Sequence, residues 1–232
     1  LGGFSNKHVL AACREIGKGL HHNYHPYPVV EISSTVMPGS TMGPIRATLE
    51  NCSNRVAGQD FGLAYSPEFI RQGQIIHDYA HPDMMLIGAT NTRTASVLVD
   101  YYQSVTENDP PFHVMSPVSA ETAKLGLNYA VVAKMAVANT LAALCHATPG
   151  ADARDVLDVI GADSRIGPKF FSAGTWPGGP CFPRDVRALT WALVDAQVPT
   201  VAAAGVDVQR MAMASWLASI VGRMAGTTKT VG

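Results

Sequence analysis

The sequence predicts an α/β protein: an incomplete doubly wound parallel sheet followed by an all-helical half. Three observations carry this. Short β-rich runs alternate with helical periods over residues 1–115, the pattern of a parallel sheet wound between helices. At Ser116-Pro117 the alternation stops, and a proline-free stretch dominated by alanine, leucine and valine runs to Cys145. At 47% hydrophobic, the 232 residues can bury a sizeable core and are too apolar for disorder.

The elements follow in order. His8 to Leu20 places Val9, Leu10, Ala12, Cys13, Ile16 and Leu20 at a helical period. Pro26 and Pro28 end it, and Val29 to Ser34 is a β-rich run. Pro38-Gly39 turns the chain into a helix over Thr41–Asn51. Gly62–Tyr65 and Met84–Gly88 read as strands, Thr92–Ser104 as an amphipathic helix, and Pro111–Met115 as a last strand. Ser119 is a fair N-cap for the long helix, with Glu121 in its first turn. Pro149-Gly150 breaks that helix, and Asp152 can cap another to Ile160. Ile166–Pro183 is a loop rich in glycine, proline and aromatics. Asp185–Ala196 and Val201–Met224 are helices. The predicted domains are therefore 1–115 and 116–225. An opening strand, a G-x-G-x-x-G turn and an acidic residue about 20 positions on would mark the start of a dinucleotide-binding fold. None occurs, so the sheet reads as beginning partway through.

Composition narrows the class of function. With 17 basic and 18 acidic side chains the net charge is -1, which argues against binding nucleic acid through phosphate neutralisation. No apolar run approaches the roughly 20 residues of a membrane helix, so no membrane association is expected. The first residues lack the basic start and apolar stretch of a signal peptide. The four cysteines form no close pair, which predicts neither a disulfide framework nor a zinc site and suits a cytoplasmic protein. His21, His22 and His25 lie near one another without a carboxylate or cysteine at ligand spacing, so no metal is expected. Charged residues make up 15%, against about 25% in an average domain. Much of the surface is then expected to face a partner subunit or further parts of a longer chain.

Several residue patterns carry chemistry, each with a plainer alternative. Cys181 lies between the glycine pair Gly178-Gly179 and a helix start, where anions are favoured. It reads as a nucleophile, or as a structural cysteine in a tight turn. Lys124 and Asn128 stand four apart on one face of a nearly uncharged helix. They can donate hydrogen bonds to an oxyanion, or Lys124 can simply snorkel to solvent. Ser33-Ser34-Thr35 follows a strand directly, where α/β ligands bind, and also suits a capped turn. Glu68, just after a strand and Pro67, is a general base or a solvent-facing loop residue.

Together these segments resemble the UDP-glucose/GDP-mannose dehydrogenase family. Five of its patterns occur in order: S-T-V-x-P-G at Ser34–Gly39, P-E-F-x-R at Pro67–Arg71, A-E-x-x-K-x-x-x-N at Ala120–Asn128, R-I-G-x-K-F at Arg165–Phe170, and G-G-x-C-F-P-[KR]-D at Gly178–Asp185. The Pro-Glu-Phe and Cys-Phe-Pro forms resemble the UDP-glucose and GDP-mannose branches. The resemblance implies NAD-dependent oxidation of the C6 hydroxyl of a nucleotide sugar to the uronate, through a cysteine thiohemiacetal and thioester. It implies Cys181 as nucleophile, Lys124 and Asn128 as the oxyanion pair, and Asp185 as an acid in proton transfer. Glu68 and Thr35 are then placed near the hydrolytic water and the nicotinamide. The implied substrate contacts are Glu68, Phe69, Ile70, Arg71, Gln72, Lys124, Asn128, Arg165 from the neighbouring subunit, Phe170, Phe171, Ser172, Ala173, Gly174 and Gly178. The implied cofactor contacts are Thr35, Gln72 and Arg184. It also implies a helical dimerisation domain, with a homodimer formed through the central helices.

The sequence departs from the family pattern at Gln72, in place of a second acid, at Pro180, where serine is common, and at Ser66, where asparagine is common. It resembles the second half of the family's first domain plus the middle domain. A non-catalytic remnant acting as a helical dimerisation module is the alternative reading. A relative of the β-hydroxyacid dehydrogenases would share the helix lysine and asparagine but have no use for Cys181.

Overall fold

The computed structural model describes residues 3–174, 176 and 180–225. They form two compact units that divide between Lys124 and Leu125, within one long helix; the sequence pattern changes a little earlier, at Ser116.

The N-terminal unit, Gly3–Lys124, is built on four strands: β1 Val29–Ile32, β2 Gly62–Tyr65, β3 Met85–Ala89 and β4 Phe112–Met115, in that spatial order. β1 and β2 are parallel, with Val29 opposite Gly62 and Ile32 opposite Tyr65. β3 and β4 are parallel too, with Met85 opposite Phe112. The central pair departs from the all-parallel expectation: β2 and β3 are antiparallel, Tyr65 facing Gly88. An antiparallel neighbour needs no crossover on the sheet face. The connection over residues 66–84 therefore returns at the C-terminal end of β2. It contains a helix the sequence did not suggest, α3 (Ile75–Ala80), whose six residues are too short to show a period.

Side-chain alternation along β2 sends Leu63 and Tyr65 to one face and Ala64 to the other. On the first face they pack with Cys13 and Leu20 of α1 (Lys7–His21) and Leu49 of α2 (Arg46–Ser53), and with Ile45 of the π-helical turn Thr41–Ile45 that leads into α2. On the second, Ala64 and Ile87 pack with Leu98 and Tyr102 of α4 (Thr92–Val105). The Asn91 side chain caps α4 by accepting the Thr94 N–H at 2.8 Å.

Helix α5 (Pro117–Ala147) begins before the expected cap. Ser116, not Ser119, takes the capping role: its Oγ accepts the Ser119 N–H at 3.2 Å, and Pro117 occupies the first helical position, where its missing N–H costs nothing. The helix start is seated directly on β3. A Cβ on Gly88 would lie 2.7 Å from Pro117 Cα and 2.8 Å from Ala120 Cβ, so only glycine lets the two backbones meet. Contrary to the sequence expectation, α5 is long and apolar enough to cross a membrane, with a mean hydropathy of 1.4 over its most apolar 18 residues. The long alanine-rich run raises the average despite its charges. Yet its Glu121, Lys124, Asn128 and Asn139 are all buried, and each is hydrogen-bonded to protein groups.

The first of these bonds sets the geometry of the unit. Glu121 is fully buried, and its two carboxylate oxygens accept the backbone N–H groups of Gly39, at 2.6 Å, and Thr41, at 2.8 Å. The loop after β1 is thereby tied to the first turns of α5. A second polar network closes the other side of the sheet. Tyr102 donates to the half-buried carboxylate of Glu31 on β1, and Ser66 donates to the Tyr102 oxygen at 3.3 Å. Burial pushes the Glu31 carboxyl up, more than the hydrogen bonds from Tyr102 and Ser66 pull it down, and the nearby Glu68 adds to the rise.

The C-terminal unit, from Leu125 onward, comprises the rest of α5, α6 (Ala153–Ala162), α7 (Cys181–Asp195) and α8 (Val201–Ala225). Asp152 caps α6, its side chain accepting the Arg154 N–H at 2.7 Å. Val132, Val186 and Val206 form one small core, and Ala138, Leu157 and Phe171 another. α7 starts four residues earlier than the expected Asp185, so Cys181 is its first residue rather than lying ahead of it.

Two outcomes follow from these networks. Glu121→Gln leaves one backbone N–H facing an amide NH2 in a buried site, and should cost about 2–3 kcal/mol in urea unfolding, with faster hydrogen exchange at residues 39–41. Glu31 is held above its unfolded value, so its contribution to stability is present below the ordinary glutamate range and is lost as pH rises through the folded value. Glu31→Gln removes that loss, so the variant should gain on the wild type from about pH 4 upward. Melting curves across pH check this; a variant that loses ground to the wild type as pH rises would contradict it.

Candidate active site

In the N-terminal unit the candidate residues lie on two loops at the C-terminal ends of β1 and β2, and on α5. Thr35 is half-buried on the first loop, next to buried Val36 and four residues before the Gly39 that Glu121 anchors. The second loop carries Glu68, Phe69, Ile70, Arg71 and Gln72. The ammonium of buried Lys124 donates to the backbone oxygen of Glu68 at 2.5 Å and sits 4.3 Å from the centre of the Phe69 ring. Glu121 and Lys124, three apart on one helix face, thus hold one loop each. The Glu68, Ile70 and Gln72 side chains are exposed.

Arg71 is engaged within the unit. Its guanidinium forms a fork with Asp78 of α3, Nη2 to Oδ1 at 2.6 Å and Nε to Oδ2 at 2.9 Å, and its backbone N–H adds a third bond to Oδ2 at 2.8 Å. These bonds hold the Asp78 carboxyl well below the usual carboxylate range despite its burial.

In the C-terminal unit Cys181 is exposed at the start of α7. One turn on, the Asp185 carboxylate is 1% exposed. It accepts from the Asn128 amide at 2.6 Å and from Arg184 Nε at 3.0 Å. The structure thus joins buried Asn128 and Asp185 with the half-exposed Arg184, so that Asn128 faces a carboxylate. Arg165 is exposed and paired with Asp163, Nη2 to Oδ2 at 2.6 Å and Nε to Oδ1 at 3.0 Å, which holds the Asp163 carboxyl low. Phe171 is buried against Ala138 and Leu157, so its side chain is core rather than a surface contact. Phe170 is half-exposed, and Ser172, Ala173 and Gly174 are exposed, with the Gly174 N–H held by Asn139 Oδ1 at 2.9 Å. Gly178 lies outside the described residues.

Sequence reasoning missed four residues that position this set: Glu121, Asp78, Lys134 and Asn139. Glu121 carried a signal, as the acid of the A-E-x-x-K pattern, and Lys134 was visible as a second cation on α5. Asp78 and Asn139 carried none, because their partners come from other segments.

For a dinucleotide the chemistry of the residues present fits one end. The Thr35 hydroxyl at the C-terminal end of β1, on an anchored loop, suits the polar nicotinamide portion. The glycine turn that grips a pyrophosphate does not occur in the 232 residues.

Residues 3–106 match the NAD binding domain of the UDP-glucose/GDP-mannose dehydrogenase family, and residues 118–211 match its central domain. A GDP-mannose 6-dehydrogenase from Pseudomonas putida is 34% identical over 83% of this chain and 44% of its own length. A UDP-glucose 6-dehydrogenase from Haloferax volcanii is 34% identical over 86% of this chain and 47% of its own. The chain therefore spans less than half the length of these curated relatives. The solved UDP-glucose dehydrogenase of the hyperthermophilic archaeon Pyrobaculum islandicum superimposes with a TM-score of 0.87 at 31% identity, over 97% of this chain and 50% of that one. Two adjoining domain matches across most of the sequence, with a fold that agrees, place this chain in the UDP-glucose/GDP-mannose dehydrogenase family.

Proposed function

We propose that this chain belongs to a cytoplasmic nucleotide-sugar 6-dehydrogenase that converts the C6 hydroxyl of UDP-glucose or GDP-mannose to a carboxylate. The observation that carries the reading is the start of α7. An exposed cysteine stands one turn before a buried carboxylate that is held by an amide and a guanidinium. NAD, when bound, accepts the hydrides that this four-electron oxidation releases. The chain's own residues do the rest. The Cys181 sulfur adds to the C6 aldehyde, and the resulting thiohemiacetal is carried on to a thioester. Water then attacks the thioester carbon, the C–S bond breaks, and the uronate leaves with the cysteine regenerated. Each tetrahedral stage develops negative charge on oxygen, which the ammonium of Lys124 and the amide of Asn128 can stabilise. Asp185, fixed by Arg184, takes up and returns the proton of the attacking water. Glu68 borders the sugar, and Thr35, Gln72 and Arg184 hold the nicotinamide side of the cofactor.

A homodimer through the central helices is part of this reading. On α8, Val201, Val208, Met211 and Met224 are exposed, as are Val137 and Leu144 of α5. Apolar residues so numerous on two helices suit burial against a second copy.

Alone, the chain should bind NAD+ weakly in calorimetry and form no NADH from either sugar nucleotide. Completed with a segment that supplies the glycine turn and with the family's remaining domain, it should produce uronate. In that protein Cys181→Ala should lower kcat by about a thousandfold or more, with sugar-nucleotide affinity changed only a few-fold. An unimpaired Cys181→Ala variant would remove the nucleophile from the mechanism, and a completed protein without turnover would favour the association module. Sedimentation at micromolar concentration should give a dimer; a clean monomer contradicts the interface and the shared role of Arg165.

A further inference from the structure

The mechanism leaves Lys134 of α5 unused, yet its surroundings are specific. Its ammonium nitrogen lies 2.9 Å from the carbonyl oxygen of Ile166, 3.0 Å from that of Gly167 and 2.6 Å from that of Lys169. An ammonium has three N–H donors, so these carbonyls take them all. A lysine satisfied by water would keep its rotamer freedom; this one gives it up to gather a loop backbone around a single cation. Other contacts close the same arch. The N–H groups of Ile166 and Gly167 donate to the Asp163 carbonyl at 2.9 and 2.8 Å, and Phe171 is buried against Ala138 and Leu157. The buried Asn139 side chain accepts the Gly174 N–H at 2.9 Å.

Between these anchors stands Phe170, with φ of +60° and 48% of its surface exposed. A residue with a Cβ is strained in the left-handed region, and such a conformation persists only where the surroundings over-determine it. Core packing does not explain a strained aromatic side chain held open to solvent. We propose that Lys134 is the positioning residue of this arch: by collecting three carbonyls it holds the arch in shape and presents Phe170, and with it residues 165–174, to the sugar nucleotide. The inference rests on the reading of that loop as a substrate-binding segment.

Hydrogen exchange followed by mass spectrometry on the full chain tests it, with Lys134→Met, which keeps most of the stem, and Lys134→Arg, which restores donors. In Lys134→Met the amides of residues 166–174 should exchange about tenfold faster or more, with α6 and α7 unchanged, and Lys134→Arg should recover most of the protection. Wild-type loop amides should gain protection on adding UDP-glucose or GDP-mannose. Lys134→Met should need about tenfold more of the same compound for equal protection, and Lys134→Arg only a few-fold more. Wild-type exchange and nucleotide response in Lys134→Met would overturn the proposal, as would Lys134→Arg behaving like Lys134→Met. If Lys134→Met loosens the whole C-terminal unit, Lys134→Gln replaces it, and a second global loss overturns the local role. A wild-type loop indifferent to both sugar nucleotides, but loosened locally in Lys134→Met, would overturn the substrate reading of the loop while upholding the anchoring.

Discussion

The carboxylate of Glu121 is the constraint on which the N-terminal unit depends. A fully buried charge is tolerated only when its oxygens are satisfied, and here two backbone N–H groups of one loop satisfy them. The arrangement serves both partners. The N–H groups at the entrance to the π-helical turn meet the acceptor that such a turn needs, and the carboxylate avoids an unpaired buried charge. Because the same helix turn continues to Lys124, the position of the ammonium follows from that of the carboxylate. Gly88 completes the constraint by letting the helix start rest on β3 without an intervening side chain. The spacing between the β1 loop, the β2 loop and α5 is therefore set by a backbone contact and by hydrogen bonds from two buried charged side chains, Glu121 and Lys124.

The charged candidates are mostly engaged before any ligand arrives. Arg71 holds Asp78, Arg165 holds Asp163, Arg184 and Asn128 hold Asp185, and Lys124 holds a carbonyl. Such pairs orient the groups in advance, so little side-chain entropy remains to be lost on binding. They also set a threshold. A phosphate or sugar that recruits Arg71 or Arg165 must match a bidentate carboxylate, and the exposed Arg165 pair is the weaker competitor because solvent screens it.

The alternation of strands and helices, the long helix and the cysteine loop were legible in the sequence because each is a local pattern. Ser34–Gly39 and Gly178–Asp185 were legible as motifs for the same reason. What escaped was set by partners distant in sequence. The antiparallel turn between β2 and β3 depends on how residues 66–84 return, and their composition does not encode it. Asp78 looks like any polar residue between two strands until Arg71 is seen against it. Phe171 reads as part of a binding loop, but the small side chain of Ala138 and the bulk of Leu157 draw it into the core. The Ser119 cap failed for a different reason: Pro117 starts a helix as readily as it interrupts one, so Ser116 was the better placed hydroxyl.

The start of α7 has a property that concerns water rather than geometry. A helix normally leaves its first four N–H groups without internal partners, and solvent or a cap must serve them. Here Pro180 is the N-cap and Pro183 occupies the third helical position, so two of those four donors do not exist. The turn that displays Cys181 thus has half the usual demand for hydration. A partner or ligand could therefore cover this turn without stranding polar backbone, although the exposed Cys181 itself remains open to it.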